Sequence, residues 1–231
     1  MIQSQMEELS KYEQLFIVKV FWQMILNMRS NSPHAHKLEG HIFTRNEYEE
    51  SKSMQVGAVH LAEGELLVFF KPEEAADRAI QNCKTFSKLC PCLCLGMIET
   101  FHRGVALYIM ARKTKKRKYK THASKIRKTV KTWVKAGNPN VEHYDLLLDA
   151  EHAALNKSSY DCAEKLYLEA IELASRMGYL HHAGLFNERF ADFLHHKRRD
   201  AEKSVHFLNE AIRFFEQWGA TKKVKMLKNS S

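Results

Sequence analysis

The residues of this chain whose types could do chemistry fall into a few clusters. Cys90, Cys92 and Cys94 alternate along the chain, with Cys83 upstream and His102 the nearest histidine. A zinc site takes four ligands, usually as two C-x2–4-C pairs. One-residue spacing with no second pair does not supply them, and a helix turns Cys90 and Cys94 to one face and Cys92 to another. These cysteines read as thiols packed on a buried helix. His181-His182 and His195-His196 are tandem pairs on one expected helix. Neighbours on a helix diverge, so neither pair chelates, and His182 and His196 are too far apart to share an ion. His152 reads as packed or partly exposed. Asp145, Asp149 and Glu151 lie on one helix at surface-like positions, with no nucleophile and base beside them. No metal, no cofactor and no catalytic residue is expected.

The strongest charge signal is cationic. Between Arg112 and Lys135 there are twelve Lys or Arg and no Asp or Glu, so this stretch carries +12 of a formal net charge of +9. The other residues together carry −3, the difference between those two values. Lys115, Lys116, Arg117 and Lys118 form a compact anion-binding or nuclear-import cluster. Tyr119 and Trp133 could stack on bases while the lysines hold phosphates. The plainer reading is a solvated basic loop over 111–121, then the polar face of an amphipathic helix. Acidic proteins and anionic lipids are the other partners such a stretch suits.

Behind these clusters stands an all-α chain. It has 231 residues, 45% hydrophobic and 27% charged, with nine Gly and four Pro. So few breakers fit helices and leave too few turns for an all-β domain. The longest apolar stretch, Leu15 to Leu26, is interrupted by Lys19 and Gln23. It is also shorter than the roughly 20 residues of a membrane span. Glu7 and Glu8 precede it where a secretory signal would be cationic. A cytoplasmic location is expected, or a nuclear one through 115–118, with the thiols reduced.

The spacing predicts about eleven helices. The first covers 6–28, with Leu15, Val18, Trp22, Ile25 and Leu26 at helical intervals, and ends near Ser32-Pro33. Thr44 or Asn46 caps a second, running to Gln55 with Glu47 and Glu49 in its first turns. Gly57 separates that helix from one over 58–70, whose inward residues are Ala58, Leu61, Ala62, Glu65 and Leu66. Pro72 opens a helix that buries Ala75, Ala76, Ala79, Ile80 and Cys83. Pro91 opens another, to Arg112, with Leu95, Ile98, Ala106 and Leu107 inward. An amphipathic helix over 122–136 precedes the break Gly137-Asn138-Pro139-Asn140. Helices 141–157, 159–177, 179–197, 200–218 and 219–228 follow.

Two of these are related. KLYLEAIELASRMG (165–178) and HFLNEAIRFFEQWG (206–219) align at a 41-residue offset. The offset matches Leu166 with Phe207, Ala170 with Ala211, Ile171 with Ile212 and Gly178 with Gly219. A fixed period of this length marks stacked helical hairpins, here a tetratricopeptide-like α-solenoid. Ala150, Ala163, Ala170 and Ala191 let helices approach, while Leu166, Tyr167, Phe207 and Phe214 fill the grooves. One array over 1–231 is expected: divergent helices over 1–110, the basic loop, and repeats over 122–231.

The segments GNPNVEHYDLLLDAEHAALNK (137–157), LYLEAIELASRMGYLHHAGLFNERFADFL (166–194) and RFFEQWGATKKVKML (213–227) resemble a known family. So do IETFHRGVALYIMARKTKKRKYK (98–120) and the segments FWQMILNM and SPHAHKLEG within 21–40. The family is the tetratricopeptide-like helical-repeat region of large signalling P-loop ATPases and hybrid serine/threonine–histidine kinases. The chain lacks a G-x-x-x-x-G-K-[ST] loop and the kinase signatures. The resemblance therefore implies the non-catalytic spacer, a protein–protein interaction scaffold that links ATPase and output domains. Its partner would be a protein or peptide in a concave groove, with His143, Asn187 and Asp192 as candidate groove residues. A nucleic-acid-binding role for 112–135, and a truncated piece of a larger ATPase or kinase, are the alternatives.

Overall fold

The computed structural model describes residues 2–29, 34–44, 46, 53–81 and 94–229, and among them there is no strand. Ten α-helices are described: α1 (Ile2–Arg29), α2 (Ser53–Phe70), α3 (Pro72–Gln81), α4 (Leu95–Thr114) and α5 (Arg117–Lys135), then α6 (Glu142–Ala153), α7 (Tyr160–Arg176), α8 (Leu180–Phe193), α9 (Ala201–Trp218) and α10 (Thr221–Lys228). About eleven were expected, and ten are counted among the described residues. The helix sought between Asn46 and Gln55 and the break at Ser32-Pro33 fall largely on residues outside those described. So do the helix start at Pro91 and the positions of Cys83, Cys90 and Cys92.

From α4 onward each helix packs on the next, through short joints. Three of the joints share one cap. Gly137, Gly178 and Gly219 stand 41 residues apart and have φ of 81°, 77° and 84°. Each glycine N–H bonds the carbonyl three residues back, on Val134, Ser175 and Glu216. The next N–H, on Asn138, Tyr179 and Ala220, bonds the carbonyl five back, on Trp133, Ala174 and Phe215. This is a Schellman cap, and its left-handed residue favours glycine because a Cβ is strained there. The 41-residue pair visible in the sequence is thus matched by a third cap at Gly137. Ala163, Ala170, Ala174 and Ala211 are fully buried, as close helix contact requires. Gly184 on α8 lies so near α9 that a Cβ would sit 2.8 Å from the Phe215 ring.

Contacts are not confined to sequence neighbours. The last helix, α10, packs on α1. The Thr221 hydroxyl donates to the Arg29 carbonyl at 2.7 Å, and Lys223 reaches the Phe69 carbonyl on α2 and Glu188 on α8, both at 2.7 Å. The Phe69 ring meets Phe215 and Trp218 of α9. In an open array each unit touches only its neighbours. Here the two ends of the chain meet.

Several expectations are corrected. Gly57 lies inside α2 and is buried, so it does not separate two helices. The basic segment 111–121 is not a loop: α4 runs to Thr114 and α5 begins at Arg117, with only Lys115 and Lys116 between. Lys115 makes that tight turn with a left-handed φ of 58°. The apolar row of α1 that the sequence shows at helical intervals does not face inward. Leu15, Val18, Trp22 and Ile25 are 54, 55, 54 and 50% exposed, whereas Phe16, Val20, Gln23, Met24, Asn27 and Met28 are buried. Gln23 and Asn27 explain the choice. The Gln23 amide donates to Asn27 Oδ1 at 2.8 Å and accepts from the Ile42 N–H at 3.2 Å, while Asn27 Nδ2 donates to the carbonyls of Ala35 (3.1 Å) and Lys37. These amides satisfy the irregular backbone of 35–42 and seat Ala35, Leu38 and Phe43 on α1.

Candidate interaction site

The expected groove residues do not share one groove. His143 is fully buried on α6; its Nε2 is 3.1 Å from His182 Nδ1, and its ring stacks on Tyr179. Asn187 is 1% exposed, and its Nδ2 donates to the Ala183 carbonyl one turn back on α8. His143 faces the interior between helices, while Asn187 lies at the floor of a shallow groove that Ile171, Phe207 and Phe214 also line. Only Asp192 reaches the surface, with 36% of its side chain exposed.

Asp192 is the outer end of a buried ion network. Glu151 on α6, fully buried, accepts from Arg189 Nε of α8 at 2.8 Å and lies 3.7 Å from Arg112 of α4. Arg112 donates to Tyr167 of α7 at 3.1 Å and pairs with Asp192, which also lies 3.3 Å from Arg189 Nη2. Four helices are tied by these groups. Burial alone would lower the Arg112 guanidinium, but Glu151, Tyr167 and Asp192 raise it above its usual value. Burial pushes the Glu151 carboxyl up, opposed by Arg112. Glu151 is therefore a core residue and not the surface carboxylate the sequence suggested. Asp145 and Asp149 are half-buried partners of Lys131 and Arg127.

The histidines form a second buried cluster. His102, His143, His181 and His182 converge with Phe101, Tyr144 and Phe186, and Phe101 stacks on Tyr144 at 4.0 Å. Neither ring nitrogen of His102 has a hydrogen-bond partner. Burial pushes His102 down to about 3 and His143 and His181 to about 4, with His182 well below its usual value. These rings are neutral. Among the described residues, no three His, Cys, Asp or Glu are placed to hold a metal ion. Cys94 is exposed at the start of α4, not packed as expected.

The basic stretch separates into two sets. Arg112, Lys113, Lys118, Arg127 and Lys131 pair with carboxylates of α3, α6 and α8. Tyr119 is buried and donates to Asp77 at 2.6 Å, so it cannot stack on a base. Lys115, Lys116, Arg117, Lys120, Lys125 and Lys128 are exposed and make no ion pair among the described residues. Arg117, Lys120, Lys125 and Lys128 line one shallow groove along α5 with Thr121 and Ser124.

The α1 stripe was visible in the sequence as an apolar row at helical intervals, without the side it faces. Leu15, Val18, Trp22 and Ile25 are spaced three, four and three residues apart, the interval of a helix–helix seam. They are four of six large hydrophobic side chains exposed among the described residues; Leu168 and Val205 stand elsewhere. The signal was the stripe itself, since an apolar row at helical spacing marks either a core face or a docking face.

No helix among the described residues is long and apolar enough to cross a membrane. No protein-family model, curated protein or solved structure matches the chain. The class the coordinates define is an all-helical protein with a 41-residue recurrence of caps.

Proposed function

We propose that this chain is a non-catalytic helical-repeat scaffold of the tetratricopeptide-like kind, and that it docks an amphipathic partner helix along α1. The observation that carries the reading is the exposed seam Leu15, Val18, Trp22 and Ile25. Exposed apolar residues are ordinary when scattered. Four in a row at the spacing a second helix interdigitates with are an interaction face. The buried face of the same helix is occupied by Gln23, Asn27 and the 35–43 segment, so the seam does not serve the core. The recurring caps at Gly137, Gly178 and Gly219 support the repeat reading. The resemblance to the repeat region of signalling ATPases supports a role linking other modules.

The non-catalytic part is tested by nucleotide hydrolysis. Purified chain should show none, and turnover that survives further purification contradicts the reading. Sedimentation should give a monomer, with the seam free for a different partner.

A second reading rests on the groove of unpaired cations along α5. It would bind the phosphate backbone of a nucleic acid with steep salt dependence. Neutralising Lys125 and Lys128 should abolish such binding, and no binding at low salt would remove this reading.

A further inference from the structure

Between the C-terminal ends of α4 and α8 and the start of α3 lies a cleft of about 530 Å³. Its walls carry Arg112, Lys113, Lys115, Arg189 and Lys197 against two carboxylates, Glu73 and Asp192. The ion pairs account for most of this charge. Lys113 holds Glu73 at 2.6 Å, Arg112 holds Asp192, and Arg189 holds Glu151 behind the wall at 2.8 Å. Lys115 and Lys197 are left with no ion pair among the described residues, so the cleft keeps an excess of two positive charges.

Two further observations suit the cleft to an anion. Arg189 is 7% exposed, and its Nη2, on the cleft wall, has an ion-pair contact with Asp192 at 3.3 Å but no hydrogen bond among the described residues. A buried guanidinium N–H without an acceptor is costly. Burial and the neighbouring Arg112 and Lys115 cations lower the Lys197 pKa, the strain expected where like charges converge unneutralised. The network behind the wall holds Arg112 and Arg189 in place, so these donors are fixed before any ligand arrives. Ile109 and Pro72 add an apolar wall.

We infer that this cleft binds a small phosphate monoester. Such a group carries about −1.5 to −2 charge near neutral pH and offers three acceptor oxygens. The charge matches the unneutralised Lys115 and Lys197, and an acceptor oxygen satisfies Arg189 Nη2. Guanidinium forks and lysine point charges are the donors that phosphate recognition uses. The volume lies within the roughly 300–1,000 Å³ of small-molecule sites, so it admits an organic moiety beyond the phosphate. This site is separate from the α1 seam, and either reading stands if the other fails.

The test uses the full chain with adenosine 5′-monophosphate, inorganic phosphate and adenosine as calorimetric probes. Both phosphates should bind saturably, the nucleotide more tightly, and adenosine should not. The double variant Lys115→Gln/Lys197→Gln should weaken nucleotide binding roughly tenfold or more with an unchanged melting temperature. The control Lys157→Gln/Lys165→Gln, at exposed positions outside the cleft and outside the α5 groove, should bind as the native chain does. Absence of saturable phosphate binding overturns the inference. So does equal weakening in both double variants, which would mark diffuse surface attraction.

Discussion

The Lys223 ammonium donates to the Phe69 carbonyl at 2.7 Å, joining residues 154 positions apart in the chain. The lysine is 1% exposed and also donates to Glu188 at 2.7 Å. Lys223→Met should therefore cost about 2 kcal/mol, the scale of charge-assisted hydrogen bonds lost from a buried site. Urea unfolding measures it, and an unchanged midpoint would mean that α10 does not hold the chain ends together.

The Arg112 and Glu151 pair should show strong coupling. Arg112→Met leaves the fully buried Glu151 with Arg189 as its remaining guanidinium partner and removes the donor to Tyr167 and Asp192, and should cost roughly 3 kcal/mol. Adding Glu151→Leu removes the under-neutralised carboxylate and should recover part of that loss. Additive costs in the double-mutant cycle would show that the two groups act independently.

The buried histidines make stability depend on pH with a definite sign. Their folded pKa values lie below the ordinary 6.5, so the folded state resists protonation. The stability is complete above about pH 6.5 and is lost as pH falls toward their folded values. The raised carboxyls Glu65 and Glu151 oppose this below about pH 7, so a single substitution isolates it better than a whole-protein titration. His102→Leu loses no hydrogen bond. It should be close to neutral at pH 8 and stabilising by about 2 kcal/mol at pH 5, from roughly 1.4 kcal/mol per pH unit. Denaturant melts at the two pH values measure it, and a pH-independent effect would contradict the account.

Gly137, Gly178 and Gly219 should respond alike to substitution. Each has positive φ and open space around the site of a Cβ, so the cost is backbone strain alone. Alanine at each should cost about 1 kcal/mol. A large difference among the three, read by thermal unfolding, would mean that they are not equivalent caps.

Much of the helical order was legible in the sequence because punctuation and period agreed. Pro72-Glu73-Glu74 starts α3, Asp200 caps α9 by accepting from the Lys203 N–H at 3.0 Å, and Gly178 and Gly219 end their helices. Faces were harder to read where both sides of a helix are apolar. On α1 the row of Leu15 and Trp22 is as hydrophobic as the row of Phe16 and Val20. The choice was made by Gln23 and Asn27, polar residues whose buried partners lie 8 to 19 positions away. For the same reason His143, Asn187 and Glu151 looked like surface groups: a polar residue gives no sign in sequence of a partner on another helix. The basic run likewise hid the acidic residues of α3, α6 and α8 that pair with five of its twelve cations.

The central claim is that the α1 seam docks an amphipathic helix, and the Trp22 side chain reports on it directly. The chain labelled with 5-fluorotryptophan has three fluorine resonances, and Trp22→Phe assigns one of them. The titrant is a synthetic amphipathic helix with leucines at three- and four-residue intervals. The account predicts a saturable shift of the Trp22 resonance, with Trp133 and Trp218 unmoved, and its loss in Val18→Glu without loss of helicity. No shift, a shift that survives Val18→Glu, or a concentration-dependent shift of the chain alone from self-association would contradict it.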